Sequence, residues 1–439
     1  MEELFRALAP PSQVNPKGYR IFAEVSLALT REEILWDKLS YLSYAVRAMA
    51  QDSNPSRSLS FHDTQASVLL DVLRALAAFL VLASHWRALL FVDYSQIAAH
   101  GLKLSMAIPY VLSGAGHQAV IVFFVLSGYL IGGTVWRKAT QGRWDWRDYM
   151  LHRLTRLWLV LIPALLLCAL WDAIALHGHI APALYSGLVD NHMGLDVYAT
   201  HSWRLFFSNL FFLQGTWTKS FGSDVPLWSL ANEFWYYLLF PCAVIALARG
   251  NGWLRRLLSA LLFMVIAGFV SHSILLLFPV WLLGAGLAIF PLPSIRPSFR
   301  PWLIAAYVPV FFFFAKFSRL NATLSDYLLG IATAILMMAL LGYRNKAKPV
   351  LWVRAGRQAA GFSYTLYLVH VPFLMLLTGF ILENRRWQPT PVHLALAFGL
   401  MAVVLAYAYL VALVTEFRTA QVRDWVRSRL SFIFTTSAK

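Results

Sequence analysis

From about residue 68 onward, long apolar runs alternate with short polar segments, and the runs recur ten times: roughly 68–92, 117–135, 157–176, 226–248, 257–275, 277–291, 301–317, 324–342, 358–382 and 391–415. About 20 predominantly apolar residues in α-helix cross a bilayer core, so runs near this length predict membrane-spanning helices. The pattern therefore predicts an all-α fold, a polytopic integral membrane bundle of about ten transmembrane helices. Ahead of the first run the periodicity changes. Thr30 and Glu33 have capping-box spacing, and Leu35, Leu39, Leu42, Val46 and Met49 share one helical stripe that ends near Ala50. This stripe predicts an N-terminal cytoplasmic amphipathic helix at the membrane surface, joined to the bundle by a Ser-rich linker that contains Pro55. Three regions result: an extension over 1–65, a membrane domain over 66–415 and a basic cytoplasmic tail over 416–439.

Composition narrows the class. Hydrophobic residues make up 59% of the 439 and charged residues only 13%, whereas about a quarter of a soluble domain is charged. A net charge of +16 would suggest nucleic acid in a soluble protein. Here, 28 Lys and Arg fall in one alternating set of connections and 7 in the other, which is the positive-inside asymmetry and predicts both termini in the cytoplasm. Most of the charge is thus explained by membrane topology, with membrane lipids as partners and no nucleic acid. Cys168 and Cys242 lie in apolar runs and read as buried thiols. The first apolar run begins too late for a signal peptide, and no duplicated half of the transporter kind is visible.

The polar residues inside the apolar runs carry the chemistry. Arg74 and His85 are eleven residues apart, about 20° past three helical turns, so they share a face and lie about 16 Å apart along it. Ionisable side chains in membrane helices usually face the bundle interior and mark substrate or proton paths. Arg87 points elsewhere and is expected to snorkel. Ser127-Gly128 lets a helix or a ligand approach closely, packing being the simpler reason. Arg153 and Arg156, one turn apart, suit phosphate recognition, although positive-inside anchoring would also place arginines there. Ser229 and Glu233 share a face of the fourth run, and Glu233 and His85 are each seven residues from the same side of the membrane, which predicts a His–carboxylate pair. Tyr364, Tyr367 and His370 align at i, i+3 and i+6. His177, His179, His192 and His201 cluster in one connection, but without the spacing of a metal site, so no metal is expected.

Together these segments resemble acyltransferase family 3, the integral-membrane O-acyltransferases that act on bacterial surface glycans. The resemblance covers about 66–415 and rests on Arg74-x10-His85, FFVLSGYLI at 123–131, Arg153-x2-Arg156, NLFFLQG at 209–215, WSLANEFWYYLLFP at 228–241 and SYTLYLVHVP at 363–372. It implies an acyl-CoA donor, acetyl-CoA foremost, held at its cytoplasmic phosphates by Arg74, Arg153 and Arg156. It also implies a catalytic His85 oriented by Glu233, with Ser127, Trp228, Ser229, Tyr364, Tyr367 and His370 lining the substrate path. The acceptor would be a glycan or lipid-linked glycan, the location the bacterial inner membrane, and a homo-oligomer is compatible with it. Phe234 stands where relatives often have a second acidic residue, and the hydrolase-like domain that many of them carry is not expected after the membrane part. A membrane transporter of a lipid-linked or soluble glycan is the alternative, since the same charges would then line its path.

Overall fold

The computed structural model describes residues 61–436 apart from 99, 189–194, 292, 294, 349, 383 and 384, so the amphipathic helix expected over 30–50 lies outside the described residues. Thr64 starts the first membrane helix: its extended backbone lets the side chain accept a hydrogen bond from the Ser67 N–H, satisfying one of the open donors of the first turn. That helix, α1, runs Gln65–Leu90. It is followed by α2 (His100–Leu112), α3 (Gly116–Thr140), α4 (Trp146–His177), α5 (Trp203–Leu210), α6 (Leu227–Leu247) and α7 (Trp253–Phe269). The second half comprises α8 (His272–Ile289), α9 (Arg300–Lys316), α10 (Ala322–Leu341), α11 (Leu351–Gly361), α12 (Ser363–Leu382), α13 (Pro391–Val414) and α14 (Thr419–Thr436). There is no β-sheet among the described residues, only three isolated bridges.

Nine helices or helical stretches among the described residues are long and apolar enough to cross a membrane. The tenth expected span, 257–275, is the 17-residue α7, displaced towards the N-terminus. Two further elements depart from the hydropathy reading. The connection expected over 93–116 contains α2, whose Leu104, Ile108 and Leu112 form an exposed apolar stripe at i+4 spacing, as suits a helix lying against lipid. The ninth run, expected from 358, begins only at Ser363, because α11 with Arg354 and Arg357 is amphipathic and the chain breaks at Phe362 before α12.

The centre of the bundle is α12, with 78% of its apolar window buried, followed by α6 with 67%; α9 is peripheral, with 6% buried. Glycine permits the closest helix contact. A β-carbon on Gly128 would collide with the Trp281 carbonyl and one on Gly284 with the Val125 carbonyl, so α3 and α8 touch backbone to backbone. Helix α4 is 32 residues long, about 48 Å, and exceeds the roughly 30 Å of a bilayer core. Its extra turns at the Asp145-capped end carry Arg153 and Arg156. The segment after α13 continues the bundle: Arg427 of α14 bonds Asp148 and lies 3.1 Å from His152 Nε2, both on α4.

Candidate active site

A cavity of about 130 Å³ opens between α1, α3, α4, α6 and α12. Arg74, Ser127, Arg153, Arg156, Ser229, Glu233, Tyr364 and Tyr367 all line it, so five helices from Arg74 to Tyr367 bring most of the expected site residues together. Apolar side chains, among them Phe123, Phe124 and Leu157, complete the wall.

One end is cationic. Arg74 donates to the Ala360 carbonyl at 3.1 Å and to Asp71 Oδ1 at 3.3 Å, while its Nε is buried without a partner. The Arg153 guanidinium lies over the rings of Tyr149 and Tyr237, at 5.9 and 5.7 Å, which holds the charge without neutralising it. Arg156 is accessible through the cavity and makes no hydrogen bond among the described residues. Glu416 and Glu233 act on Arg156 as counter-charges. Glu416, just past α13, is itself tied down: its Oε2 accepts from the Thr365 N–H at 2.9 Å and the Thr365 hydroxyl at 3.0 Å. Three arginines converging on one partly enclosed space suit an anion of several charges.

The middle of the cavity belongs to Glu233. Its Oε1 accepts from the Ser127 hydroxyl at 2.7 Å and from the Tyr237 hydroxyl, and Trp281 Nε1 donates to Ser127 Oγ at 3.2 Å. Ser127 and Gly128 thus divide their tasks, the serine facing the site and the glycine making the α3–α8 contact. The expected His85–Glu233 pair does not form. Equal depth in the membrane says nothing about rotation around the bundle, and Glu233 is turned towards α3 instead.

His85 has another partner. Its Nδ1 lies 2.8 Å from His370 Nε2, the two rings stacked with centroids 5.1 Å apart. His370 is fully buried, and its Nδ1 is 2.8 Å from the Leu366 carbonyl. A carbonyl can only accept, so His370 Nδ1 carries the proton and a neutral His370 offers a lone pair at Nε2. His85 must then donate from Nδ1, which leaves its own Nε2 as a free base. The backbone of α12 thereby selects the tautomers of both rings.

These groups form one row. Arg74 contacts Ala360 and His85 contacts His370, so eleven residues on α1 run alongside ten on α11 and α12, the two chains parallel and nearly in register. Tyr364 and Tyr367 fill the interval, and Tyr367, whose hydroxyl is 2.6 Å from Ser229 Oγ, stands between the cavity and His370, its ring 6.5 Å away. Trp228 is not in the cavity; it stacks on His117, which pairs with Asp326 at 2.9 Å. Of the histidines in the 177–225 connection, His177 bonds the carbonyl of Ala173 and His201 that of Ala169, while His192 lies outside the described residues. No three His, Cys, Asp or Glu side chains among the described residues converge on a metal position. In the loop before α6, both Asp224 oxygens are buried without a partner, and burial beside Asp172 pushes its carboxyl well above the usual range.

Sequence reasoning missed Tyr237, Glu416 and Asp71. Tyr237 could have been found one turn past Glu233, and Asp71 one turn before Arg74. Glu416, an acid just past an apolar run, carried no comparable signal.

Residues 68–411 match the acyltransferase domain of acyltransferase family 3. The chain belongs to that family and is a membrane acyltransferase. The matched segment contains every residue lining the cavity and both histidines, and it ends before Glu416 and α14. Neither a curated protein nor a solved structure matches the chain.

Proposed function

We propose that this acyltransferase takes an acyl group, acetyl foremost, from acyl-CoA and transfers it to a hydroxyl of a surface polysaccharide, glycolipid or other glycan at the bacterial inner membrane. The positive-inside asymmetry supports an arginine end that faces the cytoplasm, where the donor is made. The diphosphate and ribose phosphate of the donor lie against Arg74, Arg153 and Arg156. Its thioester is carried past Glu233 and Tyr364 towards the histidines. The observation that carries this reading is the single row from a cluster of three arginines to an imidazole with one free nitrogen.

The chemistry follows from the tautomers. His85 Nε2 removes the proton of the acceptor hydroxyl as its oxygen attacks the thioester carbonyl. The carbon–sulfur bond breaks, and the departing thiolate takes the proton back from His85, so no net proton is consumed. While His85 is cationic, its Nδ1–H donates to His370, which remains neutral and serves as the orienting acceptor that a carboxylate provides in a triad. Attack by His85 Nε2 itself, giving an acyl-imidazole that the acceptor then cleaves, uses the same geometry. Glu233 acts at the donor end, anchoring Ser127 and Tyr237 and balancing Arg156.

Incubating the purified protein with labelled acetyl-CoA and glycan acceptors tests the reading. Thioester consumption that depends on acceptor and label recovered in an ester are the expected results. A transporter would bind or move the glycan and leave the thioester intact.

A further inference from the structure

On the side of α1 away from the His85–His370 pair, two features lie along the same two helices. The first is a groove of about 400 Å³ between α1 and α9. Leu69, Leu73, Leu76 and Leu80 form its α1 wall at helical spacing, and Ile304, Val308 and Phe311 its α9 wall. The lining is apolar except for Tyr307, whose hydroxyl pairs with Thr333 Oγ1 at 2.9 Å, and Leu76 and Val308 are about half exposed, so the groove opens to the bilayer. The second lies at the end of the bundle opposite Arg74. It is a cavity of about 750 Å³ whose wall includes Arg87, Lys316, Tyr94, Tyr110, Ser95 and Asp93.

The two stripes continue from groove to cavity. Arg87 is two helical turns, about 10 Å, beyond Leu80 on α1, and Lys316 is little more than one turn, about 6 Å, beyond Phe312 on α9. The two cations share that cavity with one acid, Asp93, which acts on Arg87 without an ion pair among the described residues. Arg87 Nε is buried without a hydrogen bond, its guanidinium resting 5.3 Å from the Tyr110 ring, and neither Arg87 nor Lys316 makes an ion pair among the described residues. The acid of the same cavity, Asp93, is bonded at 3.3 and 3.4 Å by Arg386, a third cation. Gly114 makes room for the Lys316 ammonium, since a β-carbon there would collide with it. Snorkelling alone would send the two side chains to separate water; instead they meet in one cavity, where like charges repel unless an anion lies between them.

We infer that the seam between α1 and α9 seats an anionic phospholipid, its phosphate between Arg87 and Lys316 and an acyl chain descending into the groove towards Leu80 and Leu76. A single leaflet is about 15 Å deep, which brings a chain from the level of Arg87 to that of Ala77. This site is independent of the acyl-transfer chemistry, because it faces away from the cavity that holds the row of Arg74 to His85.

Thermal unfolding of delipidated protein in detergent, with phosphatidylglycerol, phosphatidylcholine or inorganic phosphate added, tests it. Phosphatidylglycerol should raise the unfolding midpoint of the wild type by several degrees, phosphatidylcholine by much less, and phosphate alone not at all. Lys316→Gln, an exposed position, and Leu76→Trp, which fills the groove, should each remove at least half of the phosphatidylglycerol shift. An equal shift in wild type and Lys316→Gln, or equal shifts with the two lipids, would overturn the inference; a full shift with phosphate alone would make this a soluble-anion site.

Discussion

Replacing His370 isolates the contribution of the imidazole pair without touching the proposed base. His370→Phe retains the ring volume and most of the packing in the buried centre of α12, but offers no acceptor to the His85 Nδ1–H at 2.8 Å. His85 then has a donor without its partner and no preference for the tautomer with Nε2 free. A lost hydrogen bond to a buried donor costs about 1–3 kcal/mol, equivalent to a 5- to 150-fold fall in rate if the cost falls on the transition state. We expect kcat to fall by about that factor, with the KM for acyl-CoA nearly unchanged because the arginine end is untouched. His370→Gln, whose amide oxygen can accept, should recover part of the loss. The assay is the rate of CoA thiol release by purified protein with saturating acceptor, alongside a melting curve to confirm folding. Wild-type kcat in folded His370→Phe would refute the orienting role.

Other perturbations separate the remaining parts. Arg156→Ala should raise the KM for acyl-CoA by about 10- to 150-fold, the loss of about 1.5–3 kcal/mol of charge-assisted bonding, and unchanged donor affinity would leave the Arg153–Arg156 doublet as a topology signal. Glu233→Gln should alter donor affinity more than kcat and cost less activity than His370→Phe; a loss as deep as that of His85→Gln would put the carboxylate in the chemistry. Gly284→Val should yield little folded protein by size-exclusion chromatography, because α8 cannot then reach the Val125 carbonyl of α3. Asp224 is an acid whose folded pKa is raised, so its contribution to stability is full below the ordinary carboxylate range and is lost as pH rises towards the folded value. Asp224→Asn should therefore raise the melting temperature at pH 7–8, with the gain shrinking towards pH 4; a uniform loss at every pH would contradict this.

Much of the site was legible because intramembrane polar residues are costly and seldom without purpose. The eleven-residue step from Arg74 to His85 placed both on one face, and the i, i+3, i+6 row from Tyr364 to His370 is the matching stripe on α12. Hydropathy located the spans because a bilayer requires a minimum apolar length. It gave depth without rotation, which is why His85 was matched to Glu233 at the same level when the structure turns it towards His370. Amphipathic helices such as α2 and α11 escaped for a related reason: they need only one apolar face and fall short of a span. The carbonyl of Leu366, which decides the tautomer of His370 and through it the basic nitrogen of His85, is a backbone group that no reading of side chains could single out.

Passage of an acyl group from the arginine end of the bundle to an acceptor at the other end, through His85, can be followed in proteoliposomes of uniform orientation, with labelled acetyl-CoA supplied on the arginine side and glycan acceptor confined to the opposite side. We expect label to appear in an ester on the far side with wild-type protein, and none with normally inserted His85→Gln. Equal transfer by His85→Gln, or label esterified only when donor and acceptor share one side, would contradict it.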